Sequence, residues 1–171
     1  MNILSRLFGK SQGDRDTVRP LWNRVVELAR APEWYKQCGV ADTVPGRFDV
    51  LTLVLALVML RMEREPAMIA KSALLSELFI EDMDGQLRQS GVGDLVVGKQ
   101  MGKLMGALGG RITALREALP AGDAALVELA ARNVTLTESG DAPKIAGRLR
   151  ALASCLDGLS DEALLAGRIA P

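Results

Sequence analysis

The side chains best placed for binding chemistry lie in one acidic segment, residues 78–97, which reads LFIEDMDGQLRQSGVGDLVV. Its apolar residues recur at helical spacing, so its charges should lie on the surface of a helix that stops at Gly91. Such charges form either a solvated face or an acidic docking surface for a basic partner. As surface groups, the first three acids should tolerate reversal to lysine with little loss of stability. The charged residues of the segment are Glu81, Asp82, Asp84, Arg88 and Asp94.

The sequence offers little for metal binding or catalysis. The chain has no histidine, which removes the commonest general base and the commonest metal ligand. Asp82-Met83-Asp84-Gly85 matches part of a calcium loop, but the remaining ligands are missing and the segment continues a helix. Cys38 and Cys155 lack C-x-x-C spacing and are expected to be free thiols in a reducing compartment. We therefore predict no enzymatic activity, no catalytic or metal-ligating residue and no cofactor.

Four glycines, at positions 98, 102, 106 and 110, fall along one ridge of a predicted helix. A glycine inside a helix costs about 1 kcal/mol relative to alanine, so four of them suggest the close approach of another backbone. We favour a neighbouring helix of the same domain. The alternative is a groove for the transmembrane helix of a partner, because small-residue ridges pair helices in membranes. Gly102 and Gly106 lie at the centre of this ridge.

Apolar residues recur at helical spacing through nearly the whole chain, which predicts an all-α fold. The segment from Phe48 to Arg64 should be a central buried helix with Asp49 in its first turn, where a carboxylate interacts well with the helix dipole. Asp94 should cap a helix that starts at Leu95 or Val96 and ends at Leu119, before Pro120. The other predicted helices run from near Thr17 to before Pro32, from Glu33 to Cys38, from Ala67 to about Ser90, from Asp123 to about Asn133, from Pro143 to Leu156 and from Ser160 to Ala166.

Length and composition predict a single compact domain. At 171 residues the chain can bury a core of its own, and 21 basic against 21 acidic residues give no overall field that would attract nucleic acid. No apolar run reaches the roughly 20 residues of a membrane-spanning helix, and no secretory signal is evident, which predicts a cytoplasmic protein. Residues 1–16 should be a flexible or amphipathic lead-in, of which residues 1–10 could lie on a membrane. Residues 17–171 should form the helical domain.

Four segments carry a resemblance to a known family: residues 78–97, PGRFDVLTLVLALVMLRM at positions 45–62, Gly110-Arg111 and Arg132-Asn133-Val134. Over roughly Leu21 to Arg132 the chain resembles the ubiquinol-cytochrome c chaperones, which are assembly factors for the cytochrome bc1 complex. The resemblance implies a chaperone that binds newly synthesised cytochrome b at the cytoplasmic membrane face. It leaves open a helper subunit, the ribosome and a peripheral contact with the inner membrane as further partners, and no nucleic acid is expected.

Two other functions are considered, and the first of them fits the composition equally well. One is a helical adaptor with a different partner, and the other is a small-molecule-binding domain, both unrelated to respiration. An aromatic content of 4% counts mildly against the second, since ligand pockets are rich in aromatic side chains. If the chain is a chaperone, the predicted partner-binding residues are Glu81, Asp82, Asp84, Arg88, Asp94, Gly102, Gly106 and Arg111.

Overall fold

The computed structural model describes residues 13–170, and within that range the chain is all-α, as predicted. Residues 13–16 are helical, whereas the rest of the predicted lead-in, residues 1–12, lies outside the described part of the chain. A short 3-10 turn, Pro66–Met68, joins the third and fourth helices. The α-helices are α1 (Arg19–Ala29), α2 (Pro32–Lys36), α3 (Val44–Glu63), α4 (Ile69–Gln89), α5 (Asp94–Ala121), α6 (Asp123–Asn133), α7 (Ala142–Asp157) and α8 (Asp161–Leu165).

Helix α3 is the centre of the domain, as its sequence predicts. It packs against α1, α4, α5 and α7, and its residues from Thr52 to Val58 are all buried. A helix that is apolar on every face is stable in water only when other helices enclose it. One continuous hydrophobic cluster surrounds it, and Phe79 of α4 joins the cluster to α1 through an edge-to-face contact with Trp22 at 6.2 Å between ring centroids.

The start of α3 differs from the prediction. The helix begins at Val44 rather than Phe48, because Thr43 caps it by accepting a hydrogen bond from the backbone N–H of Gly46. Pro45 in the first turn has a backbone angle already suited to a helix. Asp49 is therefore more than one turn inside the helix, and its predicted interaction with the helix dipole is wrong.

Three smaller predictions of helix ends also need correction. The first helix starts at Arg19 with Val18 as its N-cap, two residues later than predicted. Helix α5 begins at Asp94 itself, Gly93 is the N-cap, and no side chain provides the cap hydrogen bond. Its last turn includes Pro120, and the chain leaves the helix at Gly122, whose φ of +107° suits glycine. The ends predicted for α6 are confirmed.

Two loops that are distant in sequence are held together in a clasp, formed by residues 38–41 and 135–141. Val40 and Leu136 form an antiparallel bridge, flanked by a hydrogen bond of 2.9 Å from the backbone N–H of Thr137 to the carbonyl of Gly39. Gly39 has a φ of +68°, and a Cβ there would lie 2.7 Å from the Cα of Gly140. The clasp therefore requires glycine at position 39 both for its backbone angle and for its lack of a side chain.

Candidate functional site

The predicted acidic surface lies on the second half of α4, and most of its charges already have partners within the domain. Glu81 lies 3.7 Å from a guanidinium nitrogen of Arg15, which also donates a hydrogen bond of 2.8 Å to Glu77. The carboxylate of Asp84 accepts a hydrogen bond of 2.7 Å from Arg88, one turn further along the helix. These are exposed pairs, which contribute little to stability and can be exchanged for a partner's charges.

Asp82 has a different role from its neighbours. The indole Nε1 of Trp22 donates a hydrogen bond of 2.7 Å to its Oδ2, and Trp22 itself is only 3% exposed. The contact joins α1 to α4 and satisfies a polar group that would otherwise be buried without a partner. Charge reversal at Asp82 would therefore disturb the fold, so the expectation that all three acids can be reversed with little loss of stability is wrong at this position.

Arg88 holds the α4–α5 turn together. It donates hydrogen bonds to the carboxylates of Asp84, before the turn, and of Asp94, after it. These two hydrogen bonds raise the pKa of Arg88 above its ordinary value. Gly91, between them, has a φ of +79°, the left-handed conformation that commonly ends a helix, and the helix stops there as predicted. The predicted residues Asp84, Arg88 and Asp94 therefore form one exposed cluster at the tip of the helical hairpin.

Arg111 is not on the surface. It is 8% exposed, and its NH2 nitrogen donates hydrogen bonds to Asp49 Oδ1 at 2.5 Å and to the backbone carbonyl of Asn133 at 3.0 Å. Its guanidinium carbon lies 5.5 Å from the ring centroid of Phe48. Burial lowers the pKa of Arg111, and the nearby charge of Asp49 opposes that shift. Its placement as a partner-binding residue is corrected, because the side chain is taken up by α3 and the end of α6.

The second oxygen of Asp49 completes this network. It accepts hydrogen bonds from the backbone N–H of Thr135 at 2.8 Å and from its hydroxyl at 2.7 Å. The carboxylate thus connects α3 to α5 and to the clasp. Sequence reasoning missed the pair, although an acid inside an otherwise apolar helix was a usable signal, since buried acids are almost always paired.

The glycines of α5 face outward. A Cβ built on Gly98, Gly102, Gly106 or Gly110 would meet nothing within 4 Å outside its own helix turn. The prediction of a close internal neighbour is therefore wrong. Helix geometry gives the reason: at about 100° per residue, Gly102 and Arg111 are nine positions apart and lie on opposite sides of the helix. The side that carries Arg111, with Leu108 and Leu115, packs into the domain.

The first half of α5 also presents apolar side chains that are incompletely covered. Val96 is 47% exposed, and Met101, Leu104 and Met105 are only partly buried. Methionine adapts its shape easily and is common on surfaces that bind varied apolar partners. The α4–α5 hairpin thus combines the exposed ionic cluster at its tip, an open glycine face and half-covered apolar residues.

Neither a metal site nor a membrane span is found in the described part of the chain. Among residues 13–170, no three histidine, cysteine or acidic side chains come together as metal ligands would. Cys38 is buried and Cys155 is half-buried, and both are free thiols. Across the same residues, no helix has the length and apolar character needed to cross a bilayer.

The family model of the ubiquinol-cytochrome C chaperone matches residues 36–170. The chain belongs to the ubiquinol-cytochrome c chaperone family. The crystal structure of the Cbp3 homolog from Brucella abortus is similar to this chaperone, at 34% sequence identity and a TM-score of 0.80. That match covers 99% of this chain and 96% of the other. None of the curated proteins compared with the chain matches it significantly.

The residues of this ubiquinol-cytochrome c chaperone that the family model matches are not the same as those predicted to carry the resemblance. It begins at residue 36 rather than near Leu21, and it continues past Arg132 to residue 170. Helices α3 to α8 are therefore included, together with the clasp and the pair formed by Asp49 and Arg111. Helix α1 precedes the first matched residue.

Proposed function

We propose that this chain is an assembly chaperone for the cytochrome bc1 complex, which binds newly synthesised cytochrome b at the cytoplasmic membrane face. The observation that carries the proposal is the family match over residues 36–170. The likeness to the Brucella abortus Cbp3 homolog along nearly the whole of both chains supports it. Membership in a chaperone family also favours a role in assembly over catalysis.

The proposed client-binding surface is the outer side of the α4–α5 hairpin. Its surface acids are the exposed Glu81 and Asp94 and the half-buried Asp84, and they suit the cytoplasmic loops of a membrane protein, which carry excess lysine and arginine. Arg88 would release one of its two carboxylates when a basic client loop docks. Gly102 and Gly106 leave an open helix face on which a client backbone can approach closely. Asp82 and Arg111 are left out, because Asp82 accepts the hydrogen bond of the buried Trp22 indole and Arg111 is itself buried.

Further contacts would follow from this function. A helper subunit or the ribosome would bring the chaperone close to cytochrome b as it is made, and a peripheral contact with the inner membrane would keep it there. Residues 1–10, whose sequence suits a membrane surface, lie outside the described residues. These contacts therefore remain predictions from the sequence and the family.

The experiment is capture of cytochrome b by the tagged chaperone from detergent-solubilised membranes. Deletion of the chaperone should lower the amounts of cytochrome b and of the assembled bc1 complex. The variant Glu81→Lys, Asp84→Lys, Asp94→Lys should fold normally and capture much less cytochrome b at low ionic strength, where exposed charges attract most strongly. Normal cytochrome b levels in the deletion strain would contradict the proposed function.

A matched control separates the surface from overall charge. Glu65, Glu128 and Glu138 are also exposed acids, and they lie outside the α4–α5 hairpin. The variant Glu65→Lys, Glu128→Lys, Glu138→Lys changes the net charge by the same amount and should capture cytochrome b normally. Equal losses in the two variants would show that net charge, and not the hairpin, governs capture.

A further inference from the structure

A cavity of about 290 Å³ opens between the end of α1, α2 and α7. Its walls are mostly apolar and include Leu28, Trp34 and Leu152. Three residues with polar side chains, Glu33, Arg148 and Cys155, also line it. Small-molecule sites commonly have this composition, an apolar lining with a few polar groups that fix the ligand, and the volume lies at the lower end of their range.

Arg148 is the unusual group in this cavity. Its guanidinium carbon lies 4.9 Å from the ring centroid of Trp34, so the planar group is held over the indole. Its Nε is buried and has no hydrogen-bond partner among the described residues. No carboxylate of residues 13–170 lies within 4.0 Å of its nitrogens either. The guanidinium is thus positioned on an aromatic ring, and no carboxylate among residues 13–170 pairs with its charge.

The lack of a carboxylate partner distinguishes Arg148 from the other arginines of comparable burial. Within the described chain, each of the other arginines that is buried or half-buried pairs with a carboxylate, whereas the unpaired Arg30 and Arg168 are exposed. A half-buried charge without a counter-ion is costly, and a bound anion would remove that cost. The paired arginines are Arg15, Arg24, Arg61, Arg111 and Arg150.

Glu33 affects how much negative charge a bound anion can carry. This residue also lines the cavity, and its carboxylate lies more than 4.0 Å from the nitrogens of Arg148, so the two charges form no salt bridge. It repels a ligand in proportion to the ligand's negative charge, which disfavours doubly charged phosphates more than a singly charged carboxylate. The apolar walls would cover a short hydrocarbon tail.

We propose that this cavity binds a small monocarboxylate with an apolar tail. In this site the carboxylate accepts hydrogen bonds from Arg148, and the tail packs against Leu28, Trp34 and Leu152. The site is separate from the α4–α5 hairpin, and the proposal does not depend on the proposed chaperone function. The chain would then have a small-molecule site in addition to its surface for a protein client.

Octanoate is a suitable probe, and its binding to the purified full-length chain can be measured by calorimetry and by the fluorescence of the two tryptophans, of which Trp34 lines the cavity. Octanoate should bind with a one-to-one stoichiometry, whereas 1-octanol, which lacks the charge, and inorganic phosphate, which lacks the tail, should bind much more weakly. Arg148→Gln should weaken octanoate binding at least about tenfold, the usual effect of losing a hydrogen bond to a charged group. Glu33→Gln should tighten it, because the repelling charge is removed.

Two further variants keep the test decisive. Arg168→Gln removes an exposed, unpaired arginine and should leave octanoate affinity unchanged. Arg148→Lys keeps the charge, so it should retain more affinity than Arg148→Gln and serves as the test if the glutamine variant does not fold. Undetectable octanoate binding by the unmodified chain would overturn the proposal. So would equal binding of 1-octanol, or unchanged binding in a folded Arg148→Gln variant.

Discussion

Asp49 and Arg111 form a buried ion pair 62 residues apart in sequence, with 2.5 Å between the bonded oxygen and nitrogen. Each residue is 8% exposed. Asp49 uses both of its oxygens, whereas the Nε and Nη1 of Arg111 are buried and have no hydrogen-bond partner among residues 13–170. Asp49 is the only counter-ion of Arg111 among residues 13–170, so its removal would leave a charge that is both desolvated and incompletely hydrogen-bonded.

Asp49→Ala should therefore lower the free energy of unfolding by about 3 to 5 kcal/mol. This is the usual cost of removing one residue of a buried ion pair and leaving the other charge buried without a counter-ion. Urea denaturation followed by circular dichroism measures the change. Asp42→Ala is the matched control, because Asp42 pairs with Arg47 at 2.6 Å on the surface and its loss should have little effect. The double variant Asp49→Leu, Arg111→Met should be more stable than Asp49→Ala. Similar losses in Asp49→Ala and Asp42→Ala would show that burial of the first pair is energetically unimportant.

The hydrogen bond between Trp22 and Asp82 gives a second prediction. Asp82→Ala should lower the free energy of unfolding by about 1 to 3 kcal/mol, because it leaves the buried indole N–H without an acceptor. Glu81→Ala, at the next position on the same helix, should change it by no more than about 0.5 kcal/mol. Thermal denaturation of the two variants checks the difference. An Asp82→Ala protein as stable as Glu81→Ala would mean that water replaces the carboxylate at no cost.

The glycines of α5 should limit stability rather than provide it. Gly102→Ala and Gly106→Ala should each raise the free energy of unfolding by about 0.5 to 1 kcal/mol, since a Cβ meets only open space there and alanine is the better helix former. Gly46→Ala is the opposite control, because its Cβ would lie 2.0 Å from the carbonyl oxygen of Ala41. Melting temperatures should rise for the first two variants and fall for the third. A fall at Gly102 would reveal a close neighbour of this face.

The two thiols should differ in reactivity. Burial raises the pKa of Cys38, so a smaller fraction is thiolate, the reactive form, at any given pH. At pH 8, iodoacetamide should modify Cys155 much faster than Cys38, and modification of Cys38 should speed up as the pH rises. Peptide mass spectrometry after timed quenching measures both rates, and in urea the two should become similar. Faster modification of Cys38 in the folded protein would contradict its burial.

Local sequence signals predicted most of the fold. The apolar composition of residues 50–60 identified the buried central helix, and the ends predicted for α6 agree with the structure because Gly122 and the turn after Asn133 interrupt the helix locally. The start of α3 was misjudged although Thr43 and Pro45 together form a recognisable helix start. Both residues precede Phe48, the predicted first residue of this helix, so the prediction placed the start about one turn too late.

The candidate site was less predictable. Contacts between residues that are distant in sequence decide which of its charges are available to a partner. Glu81 and Asp82 are adjacent in sequence and chemically alike, yet only Asp82 meets an indole N–H, which is supplied from 60 positions away. The glycine ridge has the same spacing whether it faces a neighbouring helix or solvent. Only the positions of the other helices decide between the two.

The long-range contacts of α3 also have a consequence for synthesis. The chain is made from its N-terminus, so α3 is complete many residues before α7, which packs on it, and before Thr135, which binds Asp49. The gap lasts on the order of 10 s at ordinary rates of translation. During that interval the most apolar helix of the protein lacks much of its cover. The nascent chain of this chaperone therefore passes through a stage in which it has the exposed hydrophobic segment typical of a chaperone's own client.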